Sequence, residues 1–427
     1  MYSRAIADIL FVVVLGNGLV ALSGAEEIPA TDPKTTSTEW RNDVANLKVV
    51  QKLNRAYARV PFSQQYDGVL DHCPLKLAWS TGPNLPPGLA WKGGVAGAFG
   101  EQIALVGGHW KPNADNPAYS FDTRDRTYSK IPSPPFAPDY TQGACDGTNL
   151  YLISGRSADA GRNVARLTRS EDGGWKWTVL PSLPAAEAEG RWVATVGLVP
   201  GKWLILCAGG RGGLENVTAI PTLPDYRLSL DQPDAKWQRI ATRPGGDRVA
   251  PSSAVVNGMY YVFGGWQSDP IKASIARELR TEHRLYIVPQ GGVQVRRDAY
   301  RYDLQADKWS RLRNLPVPMV GGATVVLRDR YILIMGTNET KTLRVGKSNV
   351  AHKPWLVEYW KGYNDLILCY DIQQDNYSRV GVLLYGVGTA PWIKVGPRIY
   401  GFGGEPYHGI NGNTENVLQI GAINWVK

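Results

Sequence analysis

Histidine, cysteine and methionine are scarce in this chain of 427 residues, which holds five His, four Cys and four Met. The cysteines, Cys73, Cys145, Cys207 and Cys369, form no CxxC pair and none lies beside a histidine at ligand spacing, which excludes a zinc module. Cys145, Cys207 and Cys369 fall in apolar strand-like runs, so they read as small buried hydrophobes rather than a disulfide framework. Charged residues make up only 20%, and no long Lys/Arg run exists despite a formal charge of +9. Scattered basic residues exclude a nucleic-acid groove and fit an anionic small ligand better. Long apolar runs are also lacking apart from Ile9 to Val20, which follows Arg4 and precedes Ser23-Gly24-Ala25. That layout reads as a secretory signal peptide over residues 1–25, too short and too rich in glycine for a membrane span. The expectation is a periplasmic or extracellular protein with no membrane contact after cleavage.

What the chain has in quantity is glycine (47), proline (29), tryptophan (15) and tyrosine (21). Many turn formers with many aromatics suit short strands packed on each other rather than long helices.

Two sequence markers recur six times. The first is an apolar run ending in glycine, seen at Gly107-Gly108, Gly155, Gly209-Gly210, Gly264-Gly265, Gly336 and Gly403-Gly404. The second is an aromatic followed six and seven residues later by a turn, at Trp79, Tyr128, Trp177, Trp237, Trp309 and Tyr377. From each aromatic to the next glycine marker the step is 27 to 33 residues, whereas the return step varies from 20 to 44. Insertions therefore share one place in the repeat and should emerge on one face. Asn257-Gly258 between apolar runs is a hairpin signal, and each unit reads as four strands. Six four-stranded units predict an all-β fold, a six-bladed β-propeller in which radial sheets bury their faces against neighbours.

Trp79 precedes the first glycine marker, and only one strand, Val417 to Ile423, follows the last. Each end completes the other, so Leu75 to Ser80 is predicted to close the sixth blade as its outer strand. The domain division is then residues 1–25 as signal peptide, 26–72 as a partly helical extension, and 73–427 as the propeller.

The glycine doublets, with a Trp six residues after an acidic residue in Asp231/Trp237 and Asp303/Trp309, resemble kelch repeats. The run from Glu358 through Tyr377 to Gly403-Gly404-Glu405 resembles, in cyclic permutation, the bacterial sialic acid mutarotases, or N-acetylneuraminate epimerases. The resemblance implies a metal-independent isomerase acting on sialic acid or a related sugar acid, with no cofactor. It implies a catalytic role for Glu405 and places the family's carboxylate-binding Arg at Asn413, so Arg156 or Arg211 on neighbouring blades would supply the charge.

If the inserts rise on one face, residues after the glycine markers face the central opening. His109, Trp110, Arg156, Arg211, Trp266, Tyr407 and His408 join Glu405 there, and the turns before the inner strands add Trp91, Tyr140, Arg191, Trp192 and Arg248. Aromatic faces pack on sugar C–H surfaces, guanidinium forks hold a carboxylate, and a carboxylate or imidazole moves protons. The catalytic candidates are Glu405 and His408; His109, Trp110, Arg156, Arg211, Trp266 and Tyr407 are the substrate-binding candidates. A noncatalytic propeller that binds glycan or protein is the alternative. A copper radical oxidase, another enzyme class with a kelch ring, ranks last because its two-His, two-Tyr site with a Cys–Tyr link has no counterpart among the five histidines.

Overall fold

The computed structural model describes residues 11–15, 18–22, 73–86, 93–108, 117–137, 140–153, 155, 161–187, 191, 193–210, 223–232, 234–268, 286–288, 293–347, 355–364, 366–404 and 416–426. Of residues 11–15, 18–22, 268, 286–288, 293–295, 337–347 and 355–364 only the backbone is described. The helical pattern expected within 26–72 lies outside these residues. Within 1–25, Phe11–Leu15 pairs with Gly18–Leu22 as an antiparallel hairpin. No helix among the described residues is long and apolar enough to cross a membrane.

Six four-stranded antiparallel sheets form the ring; the strands of blades 1 to 3 are consecutive, blades 4 and 5 carry insert strands between their second and third strands, and blade 6 draws on both ends of the propeller. Blade 1 comprises Gly94–Phe99, Gln102–Gly107, Ala118–Asp122 and Thr127–Ile131; blade 2 comprises Gln142–Cys145, Asn149–Ile153, Val164–Arg169 and Trp175–Leu180. Blade 3 runs through Thr195–Val199, Trp203–Cys207, Tyr226–Ser229 and Gln238–Arg239, and blade 4 through Ser252–Val256, Met259–Phe263, Ala299–Asp303 and Lys308–Leu312. Blade 5 holds Ala323–Leu327, Tyr331–Met335, Leu366–Asp371 and Asn376–Val382. Blade 6 takes Trp392–Val395, Arg398–Phe402 and Leu418–Trp425 from the C-terminal end and Leu75–Thr81 from the other. Leu75 faces Trp425 and Thr81 faces Gln419 in an unbroken register, so the N-terminal strand closes the ring as the two incomplete ends required.

The core lies between blades rather than inside any one of them. Six apolar clusters occupy the six blade interfaces. The second strand of blade 4 shows how. Its side chains alternate, Tyr260 and Val262 entering the interface with blade 3 while Tyr261 and Phe263 enter the interface with blade 5. Both faces are buried, so the strand reads in sequence as a continuous apolar run instead of an alternating one.

The recurrent aromatics stitch blades together. Trp177, Trp237 and Trp309 donate through Nε1 to the carbonyls of Pro132, Pro181 and Ala241, at 2.9, 2.9 and 2.8 Å. Tyr128 and Tyr377 do the same through their hydroxyls, to Pro83 and Arg313. Each acceptor lies at the end of the preceding blade's outer strand. Trp79 has a different partner, meeting Trp392 edge-on with ring centroids 5.8 Å apart.

The glycine doublets are forced by geometry. Gly264 and Gly265 have φ of 60° and 91°, and a Cβ on Gly264 would collide with the Met319 carbonyl oxygen of the next blade's crossover. Asn257 and Gly258, at φ 50° and 73°, form the two-residue hairpin turn that their sequence predicts.

Candidate functional site

In every blade the turn from inner to second strand and the turn from third to outer strand lie at one face. The loops from second to third strand and the crossovers from outer to next inner strand lie at the opposite face, because consecutive strands run antiparallel. All the insertions, at 108–117, 154–163, 208–225, 264–298, 336–365 and 403–417, therefore leave from the same face. Those of blades 4 and 5 pair with each other: Tyr286–Val288 lies parallel to Trp355–Asn364, whose other edge pairs with Thr337–Lys347.

The inner strands begin at this face, and their first residues enclose a cavity of about 210 Å³ at the mouth of the central channel. Its walls are small and neutral: no Asp, Glu, His, Lys or Arg is among the described residues that line it. Several of its polar side chains already have partners. Thr195 pairs with the Tyr260 hydroxyl, Thr324 donates to the Ser253 carbonyl, and Gln142 donates to the Tyr140 carbonyl. Three lining residues carry buried polar atoms with no partner among the described residues: Thr141 Oγ1, Thr389 Oγ1 and Trp392 Nε1.

The rim of this throat is a ring of main chain. Gly93, Tyr140, Val193, Ala250, Gly321 and Thr389 stand one to three residues ahead of the inner strands of blades 1 to 6, and all have φ between 41° and 68°. Gly93 N–H donates to Thr389 C=O, Thr389 to Gly321, Gly321 to Ala250 and Ala250 to Val193, at 2.9, 3.0, 2.8 and 2.9 Å. Across these four of the six junctions a blade donates to the one before it, in a single rotational sense. Left-handed backbone is strained for any residue but glycine, and most of all for β-branched Val193 and Thr389. Such strain gathers where surrounding structure enforces it, as at ligand sites.

Three arginines tie the crossovers to the bases of the inserts. Arg191, fully buried, pairs with Glu187 at 2.8 Å and donates to the carbonyls of Ala208 and Pro224. Arg243 binds both oxygens of Asp225 at 2.9 Å. Arg248 pairs with Asp298 at 2.5 Å and donates to the Gly264 carbonyl at 2.7 Å. Asp298 also accepts two bonds from Arg296. Burial pushes the Asp298 carboxyl up, but the two guanidinium groups outweigh it and hold it below the usual carboxylate range. Arg191 and Arg248, which sequence position placed among the mouth-facing residues, are committed to these ion pairs and carry no free charge toward a ligand.

Of the site residues expected from sequence, Glu405, His408, Tyr407, His109, Trp110, Arg156 and Arg211 lie outside the described residues, as do Trp91, Trp192 and Asn413. Trp266 is described. It exchanges two backbone bonds with Val249 and packs with Val249 and Val320, and the rim residues Tyr140, Val193 and Ala250 join that cluster. Its ring is nine-tenths buried beside the throat. Sequence reading missed Thr141, Thr389 and Trp392. Their common signal is a place at or just before the inner strand, counted back from the hairpin turn.

A profile of the N-acetylneuraminate epimerase family matches residues 222–344, from the third strand of blade 3 to the insert of blade 5. The protein named N-acetylneuraminate epimerase from Haemophilus influenzae (strain 86-028NP) is 32% identical over 193 residues, covering 43% of this chain and 45% of that protein. The proteins of that name from Shigella sonnei (strain Ss046) and Yersinia pestis (strain Pestoides F) are 24% identical over 233 residues and 28% identical over 180. These matches cover 50% and 39% of this chain, and 56% and 41% of those proteins. The chain spans about half the length of the curated relatives it matches. With six kelch-type blades closed by an N-terminal strand, it resembles the N-acetylneuraminate epimerase family in fold and over these stretches of sequence.

Proposed function

We propose that this protein interconverts the anomers of N-acetylneuraminate, or of a closely related sugar acid, at the insert-bearing mouth of its channel and without a metal. The observation that carries this reading is the neutral throat with three unpartnered buried polar atoms, in a chain similar to proteins named N-acetylneuraminate epimerase. A sugar acid has a neutral hydroxylated side and one carboxylate. Hydroxyls of Thr141 and Thr389 both donate and accept, and the Trp392 indole donates only, so together they suit sugar hydroxyls or an amide carbonyl. An unpaired carboxylate in such walls costs several kcal/mol to desolvate. The carboxylate therefore faces the inserts, where Arg156 and Arg211 are the candidates to bind it. His109, Trp110, Trp266 and Tyr407 are the candidates to pack on the ring.

Anomer exchange needs the proton of the anomeric hydroxyl removed and the ring oxygen protonated, after which the open form closes on the other face. One titrating pair suffices, and Glu405 with His408 is our candidate for it. Export directed by residues 1–25 belongs to the same reading. NMR exchange spectroscopy on equilibrating N-acetylneuraminate tests it: micromolar protein accelerates exchange, and Glu405→Gln lowers the rate by about 100-fold or more. No acceleration and no ligand-induced shifts would sink the proposal, and a fully active Glu405→Gln would remove Glu405 from the mechanism. The uncharged walls of the described throat favour a second reading, a propeller that binds glycan or protein without catalysis. Binding of the sugar without faster exchange is its signature.

A further inference from the structure

Two of the four cysteines meet, and they meet at the closure of the ring. Cys73 lies two residues ahead of the strand Leu75–Thr81 that completes blade 6. Cys369 lies on the third strand of blade 5, facing Leu333 on one side and Ser378 on the other. Cys73 packs against the apolar cluster that contains Cys369, close enough for each thiol to perturb the other's ionisation. Cys145 and Cys207 are occupied elsewhere: Cys145 bonds the Ala98 carbonyl and Cys207 accepts from Arg243. All four are free thiols.

We propose that Cys73 and Cys369 are a redox staple, a thiol pair that oxidises to a disulfide and joins the closing strand covalently to the neighbouring blade. Without it the strand is held only by noncovalent contacts, its hydrogen-bond ladder to Leu418–Trp425 and the packing of Leu75, Leu77 and Trp79. The chemistry is built into the pair. Donation from Cys369 outweighs burial and brings the Cys73 thiol down to about 6, so it is largely thiolate at neutral pH; Cys73 and burial push Cys369 up. The oxidant is a disulfide, either a small molecule such as glutathione disulfide or a protein dithiol oxidase. The Cys73 thiolate attacks one sulfur of that disulfide and releases its other half as a thiolate. The Cys369 thiol gives its proton to the departing thiolate and attacks the Cys73 sulfur of the mixed disulfide, which releases the second half. The protein loses two electrons as the oxidant's S–S bond is reduced to one thiol and one thiolate, the thiolate taking its proton from solvent.

The test uses the full chain, reduced and then treated with oxidised glutathione at pH 7.5. Thiol titration should fall from four to two, and peptide mapping by mass spectrometry should find the segment bearing Cys73 linked to that bearing Cys369. Oxidised protein should melt about 3–6 °C above the reduced form. Cys73→Ser should lack that gain while the double variant Cys145→Ser/Cys207→Ser keeps it. In reduced protein, iodoacetamide should label Cys73 with a rate that rises with a midpoint near pH 6. Four titratable thiols after oxidation, or linkage of any other pair, overturns the proposal, and the wild-type peptide map decides it even if a variant fails to fold.

Discussion

Replacing Asp298 by Asn probes the ion-pair cluster that roots the blade 4 insert. The carboxylate is only 10% exposed and accepts from Arg248 Nη2 at 2.5 Å, Arg296 Nη2 at 2.8 Å and Arg296 Nε at 2.9 Å. Arg248 is fully buried, so the substitution removes the countercharge of a guanidinium that has no route to water. An asparagine amide turned toward it sets donor against donor, and turned away leaves one oxygen for two arginines. Breaking a buried pair in this manner costs about 3–5 kcal/mol. For a propeller of about 350 residues that is a fall of about 4–7 °C in Tm. The pH dependence gives the sharper test. Because the folded carboxyl is held below its ordinary value, its contribution is present above the unfolded pKa of about 3.9 and is lost as pH falls through the lower folded value. The gap between wild type and variant should be full at pH 7 and narrow below pH 4. Thermal or urea unfolding at pH 7 and pH 3 measures it, and a gap under about 1 °C, or one of equal size at both pH values, would refute the reasoning.

Four further outcomes are expected. Gly258→Ala, at φ 73° with nothing within 4 Å, should cost only the left-handed strain of about 1 kcal/mol, whereas Gly264→Ala, at φ 60° against a fixed carbonyl, should cost several times that in urea unfolding. Trp309→Phe keeps the packing on Tyr302 but orphans the Ala241 carbonyl, so it should destabilise by about 1 kcal/mol in the same assay. Gly93→Ala, at φ 66° with its new methyl driven into Tyr140, should lower Tm more than Gly258→Ala does. Thr141→Val with Thr389→Val should leave Tm within about 2 °C, since neither hydroxyl has a partner to lose among the described residues, yet weaken sugar binding measured by calorimetry by about tenfold. Unchanged affinity would remove these hydroxyls from the site.

The blade count and the inter-blade aromatics were legible because each repeats, and the closing strand because the repeat left one incomplete unit at each end. Trp177, Trp237 and Trp309 share a spacing because each must reach the same carbonyl one blade away. The throat was not legible for the opposite reason. Gly93, Tyr140, Val193, Ala250, Gly321 and Thr389 perform one task with the backbone alone, so their side chains follow no common pattern. Arg248 misled for a further reason: its partner Asp298 is 50 residues away, and spacing along the chain says nothing of which arginine a distant carboxylate will neutralise. The acid–base candidates are carried by sequence resemblance, and the neutral throat beside them is a feature only the packed ring reveals.

That ring of peptide links behaves as a gasket of fixed bore. Where its bonds run amide to carbonyl from blade to blade they depend on no side chain, so the spacing of the blades around the passage follows from their number. Relatives built on this plan are therefore free to acquire new ligands by rewriting the inserts, while the width of the passage beneath stays constant. An engineer seeking a wider passage would have to recount the blades.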